Sequence, residues 1–506
     1  LLGAGIVTDE STTGGTTTFH ADQVAESNFS GVIEDGLHRT IALSKSGDSD
    51  LYLSGANTYT GGTTISGSAC LVLGYGTTNG SVAGNIADNG ALIFLNTTDQ
   101  TYSGALSGAG SVYMEGSEDA AMTLSGDNSD YTGLTYVVRG TLRLGSDSAL
   151  GAATNGLVVE ANGVLDLNAH NVAIGYLLGS GTVTDDSTTA GTTTFSVAEV
   201  ADADFWGVIE DGLYRTVALS KSGNCFLNLL GTNTYNGGTT ISGSGYLTFG
   251  WDTEHGSVAG NILNNGDLVI ATGGSVTGNI VDNGALVFIN ATDQAYSGAL
   301  SGAGWVYMEG SEDAAMTLSG DNANFTGYTY VVSGTLRLGS DSALGAGTNK
   351  LLVGAGGLLD LNSHNVTVGF LLGAGIVTDE STPFGRRHCD RREHYGRHHH
   401  FSRGPGGRIE LLGRDRGRPA PHGRPEQVRR RRPVPLGREH LHRRDHRQCR
   451  HPLGRRVAGY RRCHRRRRRL GRYRLGRQLR GSRQRRYARA GQRRDGNTDR
   501  WRRCDA

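Results

Sequence analysis

Proline is missing from residues 1–382 of this chain; all 8 prolines stand at Pro383 or later. Lysine and cysteine are nearly missing from the same stretch. Residues 1–383 hold 8 Lys and Arg against 38 Asp and Glu, a formal charge of −30, whereas residues 384–506 hold 42 Arg, no Lys and 10 Asp and Glu, a formal charge of +32. The near-neutral total of +2 therefore describes neither part. Each scarcity excludes something. An acidic body has no use for polyanions. Cys70 and Cys225 occupy positions filled elsewhere in the repeats by Tyr246 and Ser49, so they read as single substitutions and not as a disulfide framework. No apolar run approaches the roughly 18–20 residues of a membrane-spanning helix. The chain opens at Leu1, inside a repeat and without a basic and apolar leader. The expectation is a truncated record whose missing signal says nothing about location.

What is abundant is self-similarity. LLGAGIVTDESTTGGTTTF (1–19) returns as LLGSGTVTDDSTTAGTTTF (177–195) and begins again as LLGAGIVTDEST (371–382). The two spacings are 176 and 194 residues, and the 18-residue difference has a visible source. The unit GSVAGNIADNGALIFLNT (80–97) is single in the first copy and doubled in the second, as 256–273 and 274–291. A globular core would not absorb such an insertion. A stack of coils would, because one more coil only lengthens it.

Each of these units carries one short apolar run, such as Ala91–Leu95 or Ala285–Ile289. The runs are rich in β-branched and aromatic residues and are bounded by Asn-Gly pairs (Asn89-Gly90, Asn283-Gly284), which predict strands entered through positive-φ corners. In Thr141-Leu142-Arg143-Leu144 the leucines alternate with polar residues, so one face is buried. Strands this short bury their apolar face only by stacking. Interior strands also need their N–H groups, which fits the missing proline. The reading is all-β: a right-handed parallel β-helix over 1–382, of about 18 rungs and roughly 85–90 Å at ~4.8 Å per rung, followed by a disordered Arg-rich tail over 383–506.

The strings NTYTGGTTIS (57–66), FSGVIEDG (29–36), GVLDLNAHNVAIGYLLGSGTVT (163–184) and LSGDN (124–128) resemble autotransporter-associated β-strand repeats. Such repeats belong to passenger domains of Gram-negative type V secretion proteins, many of them adhesins. The resemblance implies a structural and adhesive rod at the cell surface or secreted, with ligands on host or neighbouring cells. It also implies an outer-membrane β-barrel beyond the passenger, for which the chain as written has no segment.

Candidate chemistry is thin. Glu34-Asp35 and Glu210-Asp211 are adjacent carboxylates, but they recur and precede Gly36 and Gly212, which reads as an acidic turn. Asp166 and Asp360 lie between leucines, and alternation puts them on the solvent face. Glu118, Asp119 and Asp127 lack the tandem glycine pattern of calcium nonapeptides. His20, His38 and His255 are scattered, and His170 and His364 share a turn-like LNxHN. Gly61-Gly62 lies between strand patterns and reads as a corner. No HExxH, CxxC pair or nucleophile elbow is present. The expectation is no catalytic, cofactor-binding or metal site, no cofactor and no enzyme. The alternatives are a secreted β-helix enzyme degrading polysaccharides, and polyanion binding by the tail. The first lacks a cleft-forming carboxylate or basic cluster. The second rests on His398–His400 and Arg465–Arg469.

Those tail signals have a simpler origin. Read in GC-rich codons and started one base early, Gly-Val-Ile-Glu-Asp-Gly-Leu-His-Arg-Thr (31–40) spells GRDRGRPAPH, which is Gly413–His422 letter for letter. The same offset of 382 turns NTYTGGTT (57–64) into EHLHRRDH (439–446). The arginines are then by-products of codon usage, and nothing in them points to specific nucleic-acid recognition. Resequencing the locus checks this: a one-base shift near Pro383 should restore NTYTGGTT-like repeats downstream, and the idea fails if no shift does.

Overall fold

The computed structural model describes residues 1–379, apart from Ala69 and 252–254. These residues form strands and turns without a helix, and every strand pairing among them is parallel. They wind into a parallel β-solenoid. Seventeen strands follow one another in one ladder, from Ser27–Phe29 through Ala285–Phe288 to Phe370–Gly373. At ~4.8 Å per rung that ladder runs roughly 80 Å. Two shorter sheets close the other side of the coil. One joins Gly15–Gln23, Arg39–Gly47, Thr63–Ile65, Ile86–Asp88 and Leu106–Ser107; the other runs from Val172–Ile174 to Leu300–Ser301. The cassettes Leu134–Leu144 and Gly156–Asp166 are continuous strands that carry two columns at once, with a register shift between Val137 and Arg139 at the bend.

The doubled unit is one rung. Ile262 pairs with Ile280, Ser257 with Ser275 and Asp267 with Ala285, so each residue of 256–273 stacks on its own equivalent in 274–291. Other rungs are longer, such as the one that carries the chain from Gly179 to its partner Phe205, because their corners hold extra turns.

Strand alternation builds the core. Leu92, Val112, Leu142, Leu165, Leu268, Leu286 and Val306 are fully buried, and stacking rung on rung makes one continuous apolar core. Each such side chain contributes about 1.5–3 kcal/mol of transfer free energy, so no strand is stable without its neighbours. Leu142 and Leu144 point inward with Thr141 and Arg143 at the surface, as the alternation predicts.

The corners explain the motifs. In NTY, the buried Asn57 accepts the Ile33 N–H at 2.9 Å, and Asn233 accepts that of Ile209 at 3.0 Å. The tyrosine of the motif is buried too, with the Tyr59 hydroxyl 2.6 Å from Thr63 Oγ1 and Tyr235 2.7 Å from Thr239 Oγ1. In GDN, Asn128 and Asn322 each accept a strand N–H at 2.7 Å. Gly62 and Gly238 take positive φ, as expected of corners. In the FSG and FWG corners, a Cβ on Gly31 or Gly207 would fall 1.9 or 2.0 Å from the carbonyl of the preceding rung, so only glycine lets the rungs close up.

Three expectations are corrected. Asn89-Gly90 and Asn283-Gly284 do not take positive φ. The buried Asp88 and Asp282 make the turn instead, accepting the Gly90 N–H at 3.0 Å and the Gly284 N–H at 3.3 Å. Asp166 and Asp360 are buried and not on the solvent face. Cys70 and Cys225 are buried, and each is disulfide-bonded. The expectations for 383–506, disorder and a shifted frame, lie outside the described residues.

Modularity is testable. Deleting 274–291 should leave the circular dichroism of a β protein and move the unfolding midpoint by no more than about 2–4 °C, equivalent to ~1 kcal/mol. Deleting only 274–282 breaks the period and should cost cooperative unfolding; equal behaviour of the two deletions would sink the one-rung assignment.

Candidate functional site

Several of the ionisable groups singled out in the sequence are used by the corners. Asp35 accepts the Ile41 N–H at 2.7 Å and the Thr60 hydroxyl at 2.6 Å; Asp211 accepts the Val217 and Asn236 N–H groups at 2.8 and 3.1 Å. Asp127 accepts the Ser129 N–H at 3.1 Å. The LNxHN turns place Asn168, Ala169, Asn362 and Ser363 at positive φ, and His170 and His364 lie 3.0 and 2.9 Å from Asp147 and Asp341. Among the described residues no three His, Cys, Asp or Glu side chains are grouped as metal ligands.

Asp166 and Asp360 are buried because an arginine on the preceding rung reaches them. Arg143 Nε donates to Asp166 at 2.7 Å, and Arg337 Nε to Asp360 at 3.0 Å. Arg39–Asp9 and Arg215–Asp185 also cross between rungs at another corner, at 3.3 and 3.5 Å, with the arginine on the following rung. Half of the body's basic side chains are thus spent on tying rungs together.

Sequence reading missed a set of interior charges. Asp88, Asp282, Glu199, Lys45 and Lys221 are all buried. Burial pushes the Asp88 carboxyl up to about 7, against the opposing Gly90 hydrogen bond. Burial pushes Asp282 up to about 6, held lower by hydrogen bonds from Asn264 and Gly284. Glu199 rises to about 9 through burial despite Lys221, and burial lowers Lys45 and Lys221 to about 8. Asp88 Oδ2, Asp282 Oδ2 and both Glu199 oxygens lack hydrogen-bond partners among the described residues. The sequence signal was there in Asp88 and Asp282, each two positions before a glycine, but period-two alternation alone does not show which polar residue faces inward.

The outer face of the long ladder is different in kind. In the first copy a groove of about 490 Å³ crosses it, bordered by Asp50, Tyr52, Ile93, Tyr113, Glu115 and Arg139. Tyr113 stacks on Tyr136 at 4.7 Å. In the second copy, Trp305 stacks on Tyr328 at 4.1 Å with rings within 5° of parallel, and Lys350 Nζ lies 4.3 Å over the Tyr328 ring. Tyr307 lies 6.1 Å from both Trp305 and Tyr330.

Comparing the two copies separates scaffold from variable surface. Inward residues recur: Leu71, Leu92, Val112 and Met114 correspond to Leu247, Leu286, Val306 and Met308. Many outward residues of the shorter sheets also recur, as Thr16, Thr40, Ala42, Ser44 and Thr64 return as Thr192, Thr216, Ala218, Ser220 and Thr240, although His20 becomes Ser196 and Ala87 becomes Val281. On the outer face of the long ladder, Cys70, Ser111, Leu134, Gly156 and Tyr176 become Tyr246, Trp305, Tyr328, Lys350 and Phe370. Of the groove's border, Asp50, Tyr52 and Arg139 become Phe226, Asn228 and Ser333.

The coil is a parallel β-solenoid that repeats most of its interior and varies on the outer face of its long ladder. Residues 43–67, 120–144, 227–249 and 314–338 match the Passenger-associated-transport-repeat family. The chain is 32% identical over 375 residues to Adhesin BmaC autotransporter of Brucella suis biovar 1 (strain 1330), covering 64% of this chain and 10% of that protein. It is 31% identical over 103 residues to the uncharacterized protein YuaQ of Escherichia coli (strain K12), covering 18% of this chain and 7% of that protein. The chain thus spans a tenth or less of the curated relatives it matches. The family matches and the similarity to an autotransporter adhesin support reading the repeat region as an autotransporter passenger.

The interior carboxylate gives a signed pH test. Asp88 in the folded chain holds its proton up to about 7, whereas the unfolded carboxyl releases it near 3.9. Its contribution to stability is therefore neutral below ~4 and becomes unfavourable as pH rises from ~4 through ~7. Asp88→Asn copies Asn264, which accepts the Gly266 N–H in the same way at 3.2 Å. Denaturant titrations should show Asp88→Asn close to parent at pH 4 and more stable by roughly 2–4 kcal/mol at pH 8. A pH-independent difference would refute the buried-acid account.

The cross-rung pair gives a second. Arg143→Ala leaves Asp166 buried without its ion partner and should cost about 1–3 kcal/mol, less than a fully buried pair because Arg143 is partly exposed. Arg143→Ala/Asp166→Asn should recover part of the loss, and an Arg143→Ala midpoint equal to parent would count against the tie.

Proposed function

We propose that this chain is an adhesive passenger rod that works by binding and not by catalysis, at the cell surface or after secretion. The observation that carries the reading is the difference between the copies. Most interior and shorter-sheet residues recur or change within one type, while the outer face of the long ladder changes from Ser111, Leu134 and Gly156 to Trp305, Tyr328 and Lys350. In a repeat protein the scaffold is copied, and the face that departs from the copy is the one adapted to a partner. The similarity to a protein named as an autotransporter adhesin supports the same reading. In both repeated carboxylate pairs the aspartate, Asp35 or Asp211, is engaged by a turn N–H group, which is what a scaffold needs.

With this goes the reading of 383–506 as a shifted frame of further repeats, from which the natural protein would continue toward a membrane anchor. That part stands or falls with resequencing.

Adhesion is measured directly. Beads coated with the full chain should be retained on cultured epithelial or bacterial cells several-fold above beads coated with albumin, and soluble chain should compete. Retention no higher than albumin on every surface tried would overturn the adhesive reading.

A further inference from the structure

One column of the long ladder's outer face contains a gap. Reading rung by rung, the register stacks Tyr246, Asp267, Ala285, Trp305, Tyr328, Lys350 and Phe370 in line. Trp305 and Tyr328 lie flat on each other, so their ring normals follow the solenoid axis. Lys350 covers the far face of Tyr328, and its Nζ also hydrogen-bonds the Tyr328 hydroxyl. On the near side the next residue is Ala285, too small to cover an indole, and Trp305 keeps 40% of its surface exposed. One rung further stands Asp267, half-buried, with its carboxyl raised by burial and opposed by Lys221 from the interior.

The slot over Ala285 is one rung high, ~4.8 Å. That matches the distance at which a cation sits over an aromatic face, within about 6 Å of the ring. A carboxylate one further rung away supplies the counter-charge. The column already makes such a contact once, between Lys350 and Tyr328. The first copy has no equivalent slot, because Ser111 stands where Trp305 does and Ala91 where Ala285 does. The body around it carries −30, so a positive partner is drawn toward this face and a neutral one is not.

We propose, building on the adhesive reading, that Trp305, Ala285 and Asp267 form a recognition slot for an arginine side chain of a partner protein, with the guanidinium stacked on the free indole face and facing Asp267. The planar guanidinium suits this position better than an ammonium, because it is less strongly hydrated and stacks on an aromatic plane.

Calorimetry on the full chain with a capped Gly-Arg-Gly peptide tests it, with capped Gly-norleucine-Gly and free galactose as comparison probes. The arginine peptide should bind saturably and the other two should not. Trp305→Ala and Ala285→Phe should each weaken binding about five- to tenfold, while Ser111→Ala leaves it unchanged. Ala285→Phe keeps the tryptophan and fills the slot, so its unfolding midpoint, measured in parallel, separates a blocked slot from a damaged fold. Equal arginine-peptide affinity in parent and both variants would refute the slot, and so would galactose binding in its place, which assigns the face to glycans. The bead assay keeps the two proposals apart. If the parent chain adheres and Trp305→Ala adheres equally, only the arginine slot is lost; if the parent does not adhere, the adhesive reading itself is lost.

Discussion

The structure depends on the parallel backbone ladder between successive rungs. Each rung satisfies its N–H and C=O groups on the rungs before and after it, and in doing so sets side chains of equal position directly over one another. Everything else follows from that alignment. Identical inward residues make a continuous apolar column, and a residue on the outer face belongs to a column whose other members are a full turn of chain away. A substitution is therefore read by its vertical neighbours, as Trp305 is read by Ala285 on one side and Tyr328 on the other.

The ladder also dictates where polar groups go. Corners interrupt the strands, and their backbone amides would be orphaned without side-chain acceptors. Asparagine and aspartate supply them, at Asn57, Asn128, Asp35 and Asp88 and at their counterparts in the second copy. The cost is a set of charges inside the coil. Some are tied to an arginine of the preceding rung, like Asp166. Others, like Asp88, are held in the protonated form over part of the pH range by burial alone. The same acidic residues lower the net charge of the body, which bears on what kind of partner can approach it.

Repetition separates scaffold from function without any alignment of relatives. The two copies keep much of their interior, as at Leu71, Leu92 and Val112, and where they differ the replacement stays buried, as Leu73 becomes Phe249 and Tyr131 becomes Phe325. The largest changes of side-chain type lie on the outer face of the long ladder, as Ser111 becomes Trp305 and Gly156 becomes Lys350. That face carries the groove beside Tyr52 and Tyr113 in one copy and the Trp305–Tyr328 stack in the other, so the two copies present different chemistry on a common frame.

The fold was legible in the sequence. The unit 256–273 is followed at once by its near-duplicate 274–291, and the flanking pattern is left intact. Together with apolar runs too short to be stable alone, that admits little besides a stack of coils, and Ile262 over Ile280 follows from the spacing. The turn role of Asp35 and Asp211, repeated before glycine, was legible too. What the sequence did not disclose is which way particular polar residues face. Asp166 alternates with leucines and should have been exposed, yet the chain bends after it and Arg143 of the preceding rung covers it. Asp88 turns inward to close a corner that the Asn-Gly pair beside it was expected to make. The aromatic column is the clearest case. Asp267, Ala285, Trp305, Tyr328 and Lys350 are well separated along the chain, and only the register, fixed by how much chain each corner consumes, brings them into one line. Period-two patterning determines that a residue points outward; the length of every intervening turn decides what stands above and below it.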